Sequence, residues 1–301
     1  PPPRILRSTD GVNFEPLPQE PGTVLGDVTA SSFTRLTVHD DRLYVVAGTT
    51  VGRGHVLMAE EPAGGNDNFS YVTPQNLRVF EMASFNDHLY LTAELELADP
   101  DAGSSDPVLY VLVKVDTSNG PPYTFLPVLR EDGYLDRETQ QDVLSLQEYR
   151  GKLYVGTDSS TELYRFDQDD EWDLIVGEAR NTPDGEKEPL SDFGAGFDWP
   201  FNIHMWRMVE HDGALYVGTA DMSQQNRFMP GVWQYRHLFG FDLYATDDGM
   251  TFERITINGL GDPFQFGART FASTSDGLYV GSMSLWRPLR IWRTQSSCCN
   301  P

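Results

Sequence analysis

A Leu-Tyr pair followed by β-forming residues recurs five times along this chain of 301 residues. The copies are LYVVAGT (43–49), LYLTAE (89–94), LYVGTD (153–158), LYVGTAD (215–221) and LYVGSMS (278–284). Before each copy lies a short polar turn, and before that turn an alternating or apolar run, which is the pattern of two antiparallel strands joined tightly. A third strand follows each copy after a loop of variable length, and a fourth follows in most units.

Units of four antiparallel strands, repeated without helical periodicity between them, predict an all-β fold of the β-propeller type with five four-stranded blades. One blade alone would expose its apolar faces, so the blades must stack around an axis, and we expect residues 1–301 to form a single domain. The last unit ends after its third strand, whereas the N-terminal ILRSTDGVNFEPL has the form of a third and a fourth strand. We therefore expect the N- and C-terminal strands to close the ring. Six blades remain the alternative, because both ends resemble third strands.

The charge of the chain restricts its partners. Acidic residues number 45 against 22 basic ones, which gives a formal net charge of −23. Such a surface repels nucleic-acid phosphates and anionic lipid headgroups. No apolar run is long enough to cross a bilayer. We expect no nucleic-acid partner and no membrane insertion.

The two cysteines, Cys298 and Cys299, are adjacent and lie close to the C-terminus. They can form a ring with each other, pair with another chain or stay reduced, and the tail lacks the further ligands of a metal site. We expect a monomer, with an intermolecular disulfide through Cys298 or Cys299 as the alternative. The start at Pro1-Pro2-Pro3 fits a processed mature protein or a trimmed chain.

Two short stretches, STDGVNF (8–14) and ATDDGMTF (245–252), resemble the Asp-box turn of sialidase-like propellers. In such a turn the aspartate accepts hydrogen bonds from backbone amides, the glycine adopts a positive φ and the aromatic residue plugs the blade. The resemblance implies propeller architecture, with the turns on the face opposite a catalytic site. Residues 197–219 and 259–271 resemble uncharacterised secreted propeller repeats, which implies an extracellular or periplasmic protein. No sialidase Tyr/Glu pair can be assigned, so the sialidase mechanism is not carried over.

Propeller topology indicates where a site would lie. The loops between second and third strands and those between blades gather at one end of the axis, and long loops on a rigid scaffold usually carry function. The long loops here are 95–107, 129–141, 177–203 and 222–240. The last two flank the first and second strands of blade four. We therefore expect the site at the top of the central channel beside that blade.

The loops around blade four are rich in aromatic residues, which pack against the C–H faces of sugars and flat organic ligands. Arginine, aspartate and asparagine nearby supply directional hydrogen bonds. The alternative is a loop core that only shields the channel. The predicted ligand-binding residues are Trp199, Trp206, Trp233, Tyr235, Arg269, Trp286, Phe266, His237 and His55.

The predicted catalytic residues are His204, Asp198, Asp221 and Arg207. His204 lies at the channel mouth beside Trp206 and Arg207, where an imidazole suits general acid–base chemistry. Two carboxylates such as Asp198 and Asp221 can act as acid and base in glycosidic cleavage. They can equally be solvated rim acids or bind Ca²⁺. The top-face histidines His55, His204 and His237 could together bind Zn, Cu or Fe, so the metal is left open.

Two classes of function follow from these features. The first is a secreted carbohydrate-active enzyme, a glycoside hydrolase or polysaccharide lyase, acting on a glycan or small organic ligand. The second is a non-catalytic propeller that binds a glycan or a protein through the same loops. An enzyme needs two titratable groups in one pocket with one displaced pKa, whereas a binder needs only aromatic rings and hydrogen-bond donors. The loops differ from one another, which favours one specialised site and hence the enzyme.

Overall fold

The computed structural model describes residues 2–49, 53–65, 68–74, 77–98, 107–130, 142–159, 161–183 and 185–294. Antiparallel strands dominate these residues, and helical structure is limited to one four-residue α-helix and several 3₁₀ turns. The chain divides into two compact units, Pro1–Asp132 and Gly133–Pro301. The prediction of an all-β chain made of β-propeller blades is confirmed.

The first unit contains a short N-terminal hairpin, one helix and two blades. The hairpin consists of β1 (Leu6–Arg7) and β2 (Glu15–Pro16), and the helix is α1 (Val24–Asp27). The strands of blade one are β3 (Ser32–His39), β4 (Arg42–Gly48), β5 (Gly54–Ala59) and β6 (Phe69–Tyr71). The strands of blade two are β7 (Val79–Phe85), β8 (His88–Ala98), β9 (Pro107–Val115) and β10 (Phe125–Arg130).

The second unit contains three blades and one extra hairpin. The strands of blade three are β11 (Val143–Tyr149), β12 (Lys152–Thr157), β13 (Leu163–Phe166) and β14 (Trp172–Val176). The extra hairpin, β15 (Arg180–Thr182) and β16 (Gly185–Lys187), lies within the loop 177–203. The strands of blade four are β17 (Asn202–His211), β18 (Ala214–Asp221), β19 (Leu243–Thr246) and β20 (Glu253–Thr256). The strands of blade five are β21 (Gly267–Thr274), β22 (Gly277–Met283) and β23 (Ile291–Arg293).

The Leu-Tyr repeat marks the second strand of every blade. In blades three and four this strand pairs with the first and the third strand on its two sides, so its side chains lie in the middle of a sheet. The leucines Leu89, Leu153, Leu215 and Leu278 are fully buried. The polar turn before each of four copies has two consecutive residues with positive φ, as a tight antiparallel hairpin requires. These pairs are Asp40-Asp41, Asn86-Asp87, Arg150-Gly151 and Asp212-Gly213.

The ends of the chain bear on ring closure. Strands β1 and β2 pair with each other, and Ile5 and Leu17 beside them are buried against Val45 and Leu57 of blade one. Blade five has three strands among the described residues. Five repeated units are therefore present, whereas closure of a ring by the terminal strands and a single domain over 1–301 stay predictions.

The two predicted Asp turns have the same hydrogen bonds. Oδ1 of Asp10 accepts from the amides of residues 12 and 13, each at 2.8 Å, and Oδ1 of Asp248 accepts from those of residues 250 and 251 at 2.8 and 2.7 Å. These amides hold the pKa of both carboxyls well below the usual range. Phe252 plugs its blade and is buried, but Phe14 is 61% exposed, so the expectation for that aromatic is wrong. The assignment of either turn to the sialidase family stays a prediction.

Candidate functional site

A cavity of about 130 Å³ lies in the second unit, between blade four and the loop that precedes it. Aromatic, aliphatic, acidic and basic side chains all contribute to its walls. The lining residues are Phe197, Asp198, Trp199, Leu238, Asp242, Tyr244, Arg254 and Ile257.

A left-handed stretch of backbone brings the preceding loop onto the cavity. Gly196, Phe197 and Asp198 have φ values of 65°, 57° and 65°, a conformation that residues with side chains adopt rarely. The amide of Gly196 donates to the carbonyl of Thr161 at 2.9 Å, which anchors the turn on blade three. The Phe197 ring then stacks on Tyr244, with ring centroids 3.7 Å apart. This reversal places Asp198 and the following tryptophan at the cavity wall.

Asp242 is the most perturbed acid of the cavity. It is 2% exposed, and burial, followed by the charge of Asp221, raises its pKa to about 7 against an opposing hydrogen bond from Asn202. Its Oδ2 accepts from Nδ2 of Asn202 at 2.7 Å and from the hydroxyl of Tyr244 at 3.3 Å. Among the residues that the structure describes, its Oδ1 has no hydrogen-bond partner. A buried carboxyl with one unused oxygen at a cavity can hold a proton near neutral pH and deliver it to a ligand.

Blade three contains an acid at the equivalent position, Glu162. Both acids directly precede the Leu-Tyr of a third strand, and both backbone amides donate to a threonine hydroxyl of the second strand, at 2.9 Å for Glu162 and 3.0 Å for Asp242. Two nitrogens of Arg180 neutralise Glu162, at 2.7 and 2.9 Å. Asp242 instead accepts a hydrogen bond from the neutral side-chain amide of Asn202. The same arrangement thus holds a paired charge in blade three and, in blade four, an acid that has no cationic hydrogen-bond partner in the part of the chain that the structure describes.

Asp221 lies at the end of β18 and is fully buried. Its Oδ2 accepts from the indole nitrogen of Trp199 at 2.5 Å, and its Oδ1 accepts from the amide of Ser223 at 2.7 Å and from the Ser223 hydroxyl. Burial raises its pKa to about 6 in spite of these donors. Because both oxygens are engaged, Asp221 holds Trp199 in place and adds negative charge near Asp242.

Asp198 and Tyr235 complete the side of the site next to Trp199. Asp198 is exposed, and its Oδ1 accepts from the amide of Gly194 at 2.9 Å. The Tyr235 ring packs edge-on against Trp199 at 5.7 Å. Of the predicted site residues, Asp198 and Trp199 line the cavity, and Asp221 and Tyr235 contact Trp199 without lining it.

A second set of predicted residues forms its own cluster on β17 and β21. Trp206 contacts His204, Phe266 and the guanidinium of Arg269, at 5.6, 5.8 and 4.7 Å. Burial, followed by the charge of Arg269 and against a backbone hydrogen bond, lowers the pKa of His204 to about 4, so its imidazole is neutral at physiological pH. Arg207 lies on the same strand, opposite Gly218 of β18. None of these residues lines the cavity at Asp242, and their catalytic or binding roles stay predictions.

The remaining predicted residues lie elsewhere. Trp233, Trp286 and His237 are exposed around the loop 222–240 and blade five. His55 belongs to the first unit, where its ring contacts Tyr71 and Arg78. No group of three or more His, Cys, Asp or Glu side chains able to hold a metal is found among the described residues. Residues 99–106 of the loop 95–107, together with Cys298 and Cys299, lie outside the described residues. A disulfide through either cysteine stays a prediction, as does the binding of Ca²⁺.

Sequence reasoning missed Asp242 and Arg254. One pattern could have found Asp242, since an acid precedes Leu-Tyr in the third strands of blades three and four, in ELYRF and DLYAT. Nothing local distinguishes a paired acid from an unpaired one, because Arg180 and Asn202 come from loops and strands elsewhere in the chain.

Comparisons with known proteins give structural similarities of low degree. No protein-family model and no curated protein matches the sequence. A thermostable family-43 glycoside hydrolase is 12% identical with a TM-score of 0.39, over 86% of this chain and 88% of that one. An α-L-arabinanase mutant from Cellvibrio cellulosa is 9% identical with a TM-score of 0.42, over 86% and 89%. A GH43 endo-arabinanase from Bacillus licheniformis is 13% identical with a TM-score of 0.38, over 89% and 96%. At these values neither activity nor substrate follows from the likeness.

No helix among the described residues has the length and apolar character needed to cross a membrane.

Proposed function

We propose that this chain is a glycoside hydrolase whose reaction takes place in the cavity at Asp242. The observation that carries the proposal is the buried carboxyl of Asp242, which lines the cavity together with the exposed carboxylate of Asp198 and whose pKa is raised to about 7. Its Oδ1 is buried and has no hydrogen-bond partner among the described residues. Hydrolysis of a glycosidic bond requires one carboxylic acid and one carboxylate on either side of the scissile bond.

Each group in the cavity has a role in this proposal. Asp242 gives its proton to the leaving glycosidic oxygen, and Asp198 acts as the base or nucleophile. Trp199, held by Asp221, offers an aromatic face to a sugar ring. Arg254 lines the same cavity and can donate to sugar hydroxyls. Since Asp242 must be protonated to act, activity should decline as the pH rises through about 7.

Secretion belongs to the same proposal. A hydrolase of polysaccharides meets its substrate outside the cell, so we assign the chain to an extracellular or periplasmic location. The supporting observation is the sequence resemblance of residues 197–219 and 259–271 to secreted propeller repeats.

A substrate panel tests the function. We expect purified protein to release reducing ends from at least one polysaccharide in a panel of neutral and acidic glycans, without added metal and in the presence of EDTA. Unsaturated sugars are followed in parallel, since their release would indicate a lyase. Binding of a glycan without any product would contradict the hydrolase and support the non-catalytic alternative. Neither binding nor product with any glycan would contradict both.

A further inference from the structure

A second concave surface, which we call the arginine groove, lies between the loop 222–240 and blade five. It has a volume of about 320 Å³ and is separate in its lining from the cavity at Asp242. The 3₁₀ segment Val232–Leu238 contributes to both, since Leu238 lines the cavity and Trp233 and Arg236 line the groove. The cavity and the groove are therefore neighbours that share this segment.

The groove is basic in an acidic protein. Residues 222–240 and 284–294 contain no Asp or Glu, although the whole chain has 45 in 301 residues. The same two segments contain five arginines, of which Arg227 and Arg236 line the groove and Arg287, Arg290 and Arg293 do not. The carboxylate of Asp262 below them is buried and pairs with two of these arginines, Arg287 and Arg290, each at 3.1 Å. A patch of positive charge on a surface of opposite sign is a feature that selects anionic ligands.

Two guanidinium groups of the groove have no carboxylate partner among the described residues. Arg227 donates to the carbonyl of Gln224 at 2.7 Å, and Arg236 donates to that of Trp233 at 3.5 Å. Since a guanidinium carries five N–H donors, both retain unused donors for a ligand. They are also positioned, because Arg227 lies over Trp286 at 5.4 Å and Arg236 over Trp233 at 5.7 Å.

Exposed aromatic rings lie in and beside the groove. Trp233 lines it and is 57% exposed, and the two rings under Arg227, Trp286 and Phe228, are 48% and 84% exposed. Exposed aromatic rings beside a concave surface indicate contact with a partner. Tryptophan faces pack against the C–H faces of sugars, and guanidinium forks bind carboxylates or sulfates.

We propose that the arginine groove binds an acidic oligosaccharide, with its uronate or sulfate groups on Arg227 and Arg236 and its sugar faces on Trp233 and Trp286. The proposal rests on the carbohydrate function proposed above and adds that the glycan is anionic. A single-stranded nucleic acid also presents anionic groups to these arginines, so it is the competing ligand in the test.

Calorimetric binding of a hexameric oligogalacturonide tests the proposal. We expect binding that weakens with added salt and falls about tenfold in Arg227→Gln and in Arg236→Gln. A matched control is Arg150→Gln, which removes an exposed arginine that lies over Tyr149 at 5.4 Å and donates to the carbonyl of Gly213 at 3.5 Å. This control should bind as wild type does.

Three further ligands separate the outcomes. A sulfated oligosaccharide tests the other source of negative charge, and binding of it alone would assign the groove to sulfate. Equal affinity for the methyl-esterified hexamer would overturn the anionic proposal, as would tighter binding of single-stranded DNA or no binding of any acidic glycan. Binding is measured without turnover, so a failure here leaves hydrolysis of a neutral glycan intact, and a failure of hydrolysis leaves the groove intact.

Discussion

Asp242→Asn is expected to remove catalysis while it stabilises the fold at alkaline pH. Asparagine has the shape of the protonated acid and can still accept from Asn202 and Tyr244, but it cannot give up a proton. Loss of a general acid lowers turnover by about 10²- to 10⁴-fold. The measurement is the rate of reducing-end release on the best substrate, and turnover within a few-fold of wild type would contradict the role of Asp242.

The stability effect has the opposite sign. Burial raises the pKa of Asp242 from 3.8 to about 7, so the folded state binds the proton more tightly than the unfolded state. Its contribution is fully present below pH 3.8 and is lost as the pH rises through about 7, a change of about 4 kcal/mol in the free energy of unfolding. The asparagine of Asp242→Asn does not ionise, so the variant does not lose this stability as the pH rises. We expect it to be more stable than wild type at pH 8 and equally stable at pH 4, by urea unfolding at both values.

Glu162→Gln at the equivalent position in blade three is the matched control for Asp242→Asn. Glu162 is paired with Arg180, so removal of its charge leaves a guanidinium in a largely buried place. This variant should be less stable at pH 8, not more, and should retain turnover at temperatures where it is folded. If the stability of both variants at pH 8 changed in the same direction, the pairing of Glu162 with Arg180 would not explain the difference between the two positions.

Arg180→Met is expected to give the largest loss of stability in the second unit. Arg180 makes two bonds to the carboxylate of Glu162 and one at 2.6 Å to the hydroxyl of Tyr164, in a place where Glu162 is fully buried. Burial, and next the charge of Glu162, keep the pKa of Tyr164 well above its usual range, so the phenol stays neutral. Tyr164 therefore does not balance the charge of Glu162 when Arg180 is removed. Breaking a buried ion pair in this way costs about 3–5 kcal/mol.

A double variant separates loss of the pair from loss of the side chain. Arg180→Met combined with Glu162→Gln removes both charges, so most of the stability lost in the single variant should return. The readout is the midpoint of urea unfolding for the single and double variants. A double variant as unstable as Arg180→Met would show that packing of the arginine stem, and not the charge of Glu162, dominates.

The repeated strands could be predicted from local patterns. The Leu-Tyr pair occupies the central strand of each blade, where burial on both faces selects an apolar run, and the preceding turn residues adopt the positive φ that tight hairpins need. These features depend on neighbours within about ten residues in the sequence, so they can be predicted without knowledge of the tertiary structure.

The site depended on contacts that sequence does not show. Trp199 comes shortly before β17 and Trp206 lies on it, yet the two rings belong to different clusters. The indole nitrogen of Trp199 donates to Asp221, whereas Trp206 packs with Phe266. The cause is the left-handed backbone at Phe197 and Asp198 together with the irregular register of β17 after Met205. The perturbed state of Asp242 likewise requires Asn202 in place of an arginine, which is a property of the folded blade.

The most direct test of Asp242 as the proton donor is a measurement of its own protonation. Carbon-13 NMR of protein labelled at aspartate carboxyl groups follows each acid with pH, and the resonance that Asp242→Asn removes belongs to Asp242. If Asp242 is the proton donor, we expect a midpoint near 7 for that resonance. A midpoint near the ordinary value of 3.8 would mean that Asp242 is ionised at neutral pH and cannot be the proton donor of this cavity.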